Sequence, residues 1–427
     1  MAAGPGLGSG PLRVGACLSL SGRFARFGSQ AARALRVWSY LDGDAEVVIE
    51  DDRSDPGVLQ AALPRVAAGC DVLLGPYSTL LARAAGTMAA AAGWLVWNQG
   101  GSGDDVQVAY PGHVVSLLTP ASRYAERFVR DVVNSAITEL WIVQGKGSFG
   151  RRVAEGAQQA GDAAGARTRR FGCGDPWPPD DGAVPWALVS AGTFEDDVQI
   201  VNRARRQANP PQLVFSVAAG VREFAGQVAD PEGIYGAAQW FPGSGSGAAL
   251  GPSEEAFLTA YAEVTGQLVD YPGVQAAAGA VIAAHCARRA GTAAREQLWA
   301  QAVALDTVTL LGGFRIDPVS GAQVGHEAAL ARWTPGGQRC LGWSRGFMWL
   351  RSPLSARRRV RGRSHPAPRI GDPGERTQGH WPWMQTPIAG ASCRPRILRR
   401  ERLRGPRRCW CGRSEASRWP SRRPVCR

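Results

Sequence analysis

The sequence predicts an α/β protein built from two doubly wound parallel-sheet lobes, joined by a three-strand hinge with a cleft between them. Three observations lead there. Short β-branched runs alternate with helical patterns of ten or more residues, which implies parallel strands with right-handed crossovers. The alternation stops at Thr119 and Pro120 and then restarts, which doubles the unit. A purely helical block at 254–305 follows a Gly/Ser-rich segment, and it cannot be a domain by itself.

In the first unit, strands are expected at 14–20, 45–50, 71–74 and 94–97, with helices at 28–41, 57–68 and 79–92 between them. The second unit reads as helix 122–133, strand 139–144, helix 151–161 and strand 167–171. It continues through strand 187–190, helix 196–207, strand 212–217, helix 221–228 and strand 233–240. Helices 254–265, 274–289 and 292–305 need the first lobe's surface. Short strands from Thr307 to about Trp343 need the second. The expected division is therefore a leader (1–11), lobe 1 (12–120 plus 242–305), lobe 2 (121–241 plus 306–345) and a tail (351–427), with crossings near Thr119, Phe241 and Asp306.

At 427 residues the chain is long enough for two substantial cores. Its net charge of +13 suggests a nucleic-acid binder only until it is localised: residues 351–427 hold 21 arginines against four acidic groups. The remainder is mildly acidic, so no nucleic-acid partner is expected for the folded body. The tail lacks apolar periodicity and is expected to be disordered. It reads either as an anion-binding extension or as a non-native one, and truncation there should leave melting temperature unchanged. No apolar run reaches about 18 residues, and residues 1–11 lack the basic and apolar regions of a secretory signal. Nine cysteines without a CxxC pair argue against structural zinc. No metal, cofactor or catalytic residue is expected.

Several blocks then stand out in order: 14–22 (VGACLSLSG) with Phe24 and Phe27-Gly28; Glu50-Asp51-Asp52 with Asp55-Pro56; Leu74-Gly75-Pro76-Tyr77-Ser78-Thr79; and Trp97-Asn98-Gln99-Gly100-Gly101-Ser102. Gly147-Ser148-Phe149-Gly150 and 236–240 follow. Together, over about residues 12–345, they resemble the Leu/Ile/Val-binding proteins, type I periplasmic solute-binding proteins that serve ABC importers. The resemblance implies that a small polar solute, such as an amino acid or derivative, an amide or a urea-like molecule, is captured by hinge closure and passed to a permease. It also implies a periplasmic or other extracytoplasmic location. Because a signal is missing, a cytoplasmic amide sensor regulating a partner protein is the alternative.

The chemistry at these positions can be read without the family. Ser78 and Thr79 stand between a strand end and a helix, where free N–H groups and the helix dipole attract a carboxylate or carbonyl oxygen. Gly101 and Ser102 follow the next strand on the same sheet edge, where open α/β sheets hold ligands. Ser78 is equally readable as an N-cap without a ligand. By resemblance, Phe27 and Phe149 are pocket walls, Tyr271 is a third aromatic, and Thr193 and Phe194 are lobe-two contacts. The family's amino-acid binders carry an acidic residue after the following strand, at the position of Ala218 and Ala219 in the run 217–220. An unpaired buried ammonium costs several kcal/mol, so a zwitterion is disfavoured unless Glu195, Asp196 or Asp197 substitutes. Amides, urea-like solutes and carboxylates are then the candidates.

One enzyme reading competes. Residues 145–150 form a GxGxxG between strand and helix, with Asp175 further on, the local context of a dinucleotide fingerprint. It opens a late βα unit rather than the first, and Lys146 and Phe149 would crowd a pyrophosphate. There is no GxSxG motif, and the five histidines are scattered.

Overall fold

The computed structural model describes residues 7–341 apart from 135–136, 138, 178–183 and 244–246. Expectations for the first six residues, for Trp343 and for the 351–427 tail lie outside the described residues.

The first lobe opens with β1 (Leu12–Leu18), α1 (Ala25–Asp42), β2 (Ala45–Asp51), α2 (Pro56–Ala68), β3 (Val72–Leu74), α3 (Thr79–Ala92), β4 (Val96–Asn98), α4 (Asp104–Val108) and β5 (Val114–Ser116). The five strands form one parallel sheet in the order β2-β1-β3-β4-β5. The order reverses between β1 and β3, so the loops after these strands flank a crevice at the carboxyl edge. Neither α4 nor β5 was expected from the sequence: β3 and β4, equally short, are marked by the long helix α3 between them, whereas no long helical pattern precedes β5.

A 3-10 turn at Ala121–Arg123 leads into α5 (Glu126–Asn134), β6 (Glu139–Gln144), α6 (Gly147–Ala163), β7 (Arg167–Gly172), β8 (Trp186–Ala191), α7 (Phe194–Ala204), β9 (Leu213–Ser216) and β10 (Tyr235–Ala238). Residues 221–228, expected as a helix, are a 3-10 turn at Arg222–Gly226, preceded by another at Val217–Gly220. Here the sequence offers an apolar pattern but no N-cap, and the segment is short.

The chain next makes α8 (Glu254–Thr265), α9 (Tyr271–Ala290), α10 (Arg295–Ala304) and a hairpin of β11 (Thr307–Thr309) and β12 (Gly312–Phe314). It ends the described part with β13 (Ala329–Thr334) and β14 (Gly337–Cys340). The second sheet has the order β14-β13-β10-β9-β8-β6-β7, with β13 and β14 antiparallel additions to a parallel set.

Each sheet is covered on both faces. On the first, one cluster joins β1, β3 and β4 to α1 and to Phe257, Tyr261, Ala276, Ala280 and Leu298 of the helical block. A second cluster packs Leu59, Leu63, Leu81 and Ala85 on the other face. The small residues of α9 let it lie close against α1: a Cβ on Gly273 would come within 3.3 Å of Ala34 Cβ. Asp270 caps α9 through the Tyr271 N–H (2.9 Å), and Gly291, at φ 63°, ends it in the left-handed region.

The hairpin corrects the expected boundary. Leu310, Leu311, Phe314 and Ile316 belong to the first lobe's cluster, and β11 pairs only with β12 among the described strands. The chain joins the second sheet at Ala329, well after the expected crossing at Asp306.

Candidate functional site

The loops at the carboxyl edges of the two sheets face each other across a cavity of about 490 Å³. Phe24, Phe27, Tyr77, Ser78, Thr79, Ser102, Tyr271 and Gln275 line it from the first lobe. Tyr124, Ser148, Phe149, Thr193, Phe194, Ala218 and Val221 line it from the second side.

Aromatic rings make most of the wall. Phe27 stacks on Tyr77 with centroids 4.4 Å apart, and Phe149 meets Tyr124 edge-on at 5.9 Å. The hydroxyls of Tyr77 and Tyr271 are hydrogen-bonded to each other, and burial pushes both phenols upward, so both are neutral.

The polar floor is set by backbone geometry. Ser78 holds φ 89°, its N–H donates to the Gly100 carbonyl (3.1 Å), and its Oγ accepts from Leu81 N–H (3.3 Å). It is therefore an N-cap that also faces the cavity. Thr79 Oγ1 accepts from Gly103 N–H (3.1 Å), which leaves its proton to donate. Gly101 does not line the cavity: its N–H donates to Asn98 Oδ1 (2.8 Å) and its carbonyl accepts from Asn98 Nδ2 (2.7 Å), which shapes the turn that presents Ser102. Gln275 is buried at 1 % exposure, and its Oε1 has no partner among the described residues.

Ala219 also turns away. Its carbonyl accepts from Trp333 Nε1 (3.0 Å) and Gln338 Nε2 (2.7 Å), so Ala218 forms the wall in its place. The other eight expected contacts, Phe27, Ser78, Thr79, Ser102, Phe149, Thr193, Phe194 and Tyr271, are brought together. Sequence reasoning missed Tyr124 and Gln275. The second left a signal as the only polar side chain in the run 274–284.

The three acidic residues offered as ammonium partners are all engaged elsewhere. Asp197 is fully buried and accepts from Ser190 Oγ (2.7 Å), Gly192 N–H (2.7 Å), Ser216 Oγ (3.0 Å) and Ala218 N–H (2.9 Å), tying the ends of β8 and β9 together. Desolvation pushes its carboxyl up to about 7 despite these donors. Asp196 completes a capping box with Thr193. Glu195 pairs with Arg26 (2.8 Å) and Arg23 (3.7 Å). Among the residues lining the cavity, Arg23, Arg83, Lys146 and Arg151 outnumber the one carboxylate, Glu195, with Arg23 paired to Glu195 and Arg83 to Asp105.

Contacts across the cleft hold the lobes together. Arg26 reaches Glu195, lies 3.8 Å from Glu223 and sits over the Phe194 ring at 4.2 Å. Arg83 pairs with Asp105 and donates to Ser148 Oγ (2.8 Å). Arg222 N–H donates to Asp270 Oδ2 (2.8 Å).

The GxGxxG run has a packing explanation. A Cβ on Gly145 would lie 2.5 Å from Gly192 Cα, one on Gly150 would strike the Ala191 carbonyl, and Gly147 holds φ 88°. These glycines let α6 approach β8.

Residues 11–175 match the profile of the family described as periplasmic binding protein. No curated protein matches the chain in sequence. Among solved structures, it is similar to a leucine-binding protein from Thermotoga maritima at 14 % identity and a TM-score of 0.66, covering 78 % of this chain and 98 % of that one. It is also similar to the branched-chain amino acid transporter substrate-binding protein LivJ from Streptococcus pneumoniae in complex with isoleucine (17 %, 0.63, 78 % and 99 %). A third is a solute-binding protein of an ABC transporter from Rhodopseudomonas palustris in complex with 3,4-dihydroxybenzoic acid (16 %, 0.64, 77 % and 95 %). The fold is that of the type I periplasmic binding proteins, and the match to the periplasmic binding protein profile spans residues 11–175. The family so described is one of solute-binding proteins, which counts against the dinucleotide reading.

Proposed function

We propose that this protein captures a small solute with a carboxylate or carbonyl head and a flat or branched apolar body, closes on it, and delivers it to the permease of an ABC importer outside the cytoplasm. One observation carries the reading: the interlobe cavity is walled by aromatic rings and hydroxyl donors, while every carboxylate at or near it is engaged by protein groups. The head sits on Thr79, Ser102 and the first turn of α3, and Phe27 and Phe149 cover the body.

An α-amino acid brings an ammonium group with no anionic partner, at a cost of several kcal/mol. Proteins of the same fold have been solved with isoleucine and with 3,4-dihydroxybenzoic acid; the charge balance here supports the second kind. A thermal-shift comparison of leucine, its des-amino acid 4-methylpentanoate, benzoate, benzamide and urea tests this. At 100 times its dissociation constant a ligand adds about 2.7 kcal/mol. The acids and the amide should stabilise the protein and leucine should not. Stabilisation by leucine alone would overturn the proposed head group.

A further inference from the structure

Two of the strands that cross between the sheets carry buried polar side chains that bond directly to each other. Thr119, just past β5, donates its N–H to Gln239 Oε1 (3.0 Å), and Gln239 Nε2 donates back to the Thr119 carbonyl (3.0 Å). Gln239 follows β10 at 2 % exposure, and Thr119 is at 1 %. This pairing fixes the amide: a swapped Gln239 would set its NH₂ against an N–H and its oxygen against a carbonyl oxygen. The second Nε2 proton therefore goes to the Tyr124 hydroxyl oxygen (2.5 Å). Tyr124 is hydrogen-bonded in turn to Ser102, and both hydroxyl residues line the cavity.

Proton bookkeeping on this chain has a consequence for the ligand. Tyr124 and Ser102 hold two hydroxyl protons between them. Gln239 presents only N–H to Tyr124, so neither proton can be directed backward into the hinge. One is used between the two hydroxyls, and the other points into the cavity whichever way the first is oriented.

We infer that Gln239 is a positioning residue: held by Thr119 at the hinge, it forces the Tyr124–Ser102 pair to offer a donor to the cavity, and so selects ligands whose head is an acceptor. The inference rests on the proposed carbonyl or carboxylate head. It also ties selectivity to the hinge, because the Thr119 bonds that orient Gln239 exist only while the two crossing strands lie side by side.

The test uses the full chain and two uncharged probes of similar shape, acetophenone, whose head only accepts, and benzyl alcohol, whose head also donates. Calorimetric affinities are measured on wild type, Gln239→Glu and Tyr124→Phe. Wild type should favour the ketone. In Gln239→Glu, Tyr124 can donate backward and Ser102 to Tyr124, so the ratio should move at least tenfold toward the alcohol. Tyr124→Phe keeps the ring against Phe149 but frees Ser102, and the ratio should fall toward parity; it serves alone if Gln239→Glu does not fold. Binding with an unchanged ratio in the folded variants would sink the relay alone. Failure of both probes to bind wild type would sink the head-group reading and the relay with it.

Discussion

Ser78 shows how much one residue can be asked to do. A non-glycine residue at φ 89° is strained by about 1–2 kcal/mol, yet its Oγ caps Leu81, which is worth about 1 kcal/mol. Alanine would lose the cap and keep the strain, while glycine would lose the cap and relieve it. Ser78→Ala should therefore unfold at lower urea than Ser78→Gly, by about 1 kcal/mol in stability. Equal stability of the two variants would mean that the backbone there is not held as described. Both sequence readings of Ser78, cap and cavity residue, describe the same atoms. The acidic run 195–197 was less legible: its three carboxylates look equivalent in sequence, but the donors that occupy Asp197 come from Ser190, Gly192, Ser216 and Ala218, on two other strand ends.

Among the elements, α1 and α7 meet across the cleft through Arg26. Its ion pairs are partly exposed, where each contributes about 0.2–1 kcal/mol, and its stacking on Phe194 adds about 0.5–1 kcal/mol. The contact joins the two lobes, so its loss should appear in ligand release rather than in folding. Arg26→Ala should raise the dissociation rate of a bound carboxylate about three- to tenfold with little change in melting temperature. An unchanged rate, or a large loss of stability, would assign Arg26 a role inside one lobe. Sequence reasoning located the long elements β1, α1, α2, α3, α6 and α9 near their expected spans, and also the three-residue β3 and β4, which stand on either side of the recognisable α3. Those it missed or misplaced, α4, β5 and the β11–β12 hairpin, are three to five residues long. Their place is decided by what they pack against, as Phe314 and Ile316 do in the first lobe's core.

At the scale of the whole molecule, the three crossings between the sheets converge on His326. The ring is 4 % exposed; its Nδ1 lies 2.7 Å from Thr119 Oγ1, and it reaches the backbone carbonyls of Leu311 and Gln239. Desolvation, aided by the nearby Arg123 cation, pulls its pKa down from 6.5 to about 4, so the imidazole is neutral in the fold. For a depressed folded pKa the unfolded chain binds more protons between the two values. The contribution is thus fully present above 6.5 and is lost as pH falls through 4. Asp197 acts in the opposite direction: its pKa is raised to about 7, so its contribution is present below the ordinary carboxylate range and is lost as pH rises through 7. The two slopes oppose each other across the same window, and the raw pH profile of the protein hides both. A difference curve separates them. The stability of wild type minus that of His326→Gln, measured by urea unfolding, should fall by roughly 3 kcal/mol between pH 6.5 and 4, and wild type minus Asp197→Asn should rise over the same interval. A flat His326 curve would mean that the imidazole carries its proton in the fold, with the Thr119 hydroxyl turned toward the His326 carbonyl, 3.2 Å away. The hinge would then hold a buried charge instead of a neutral ring.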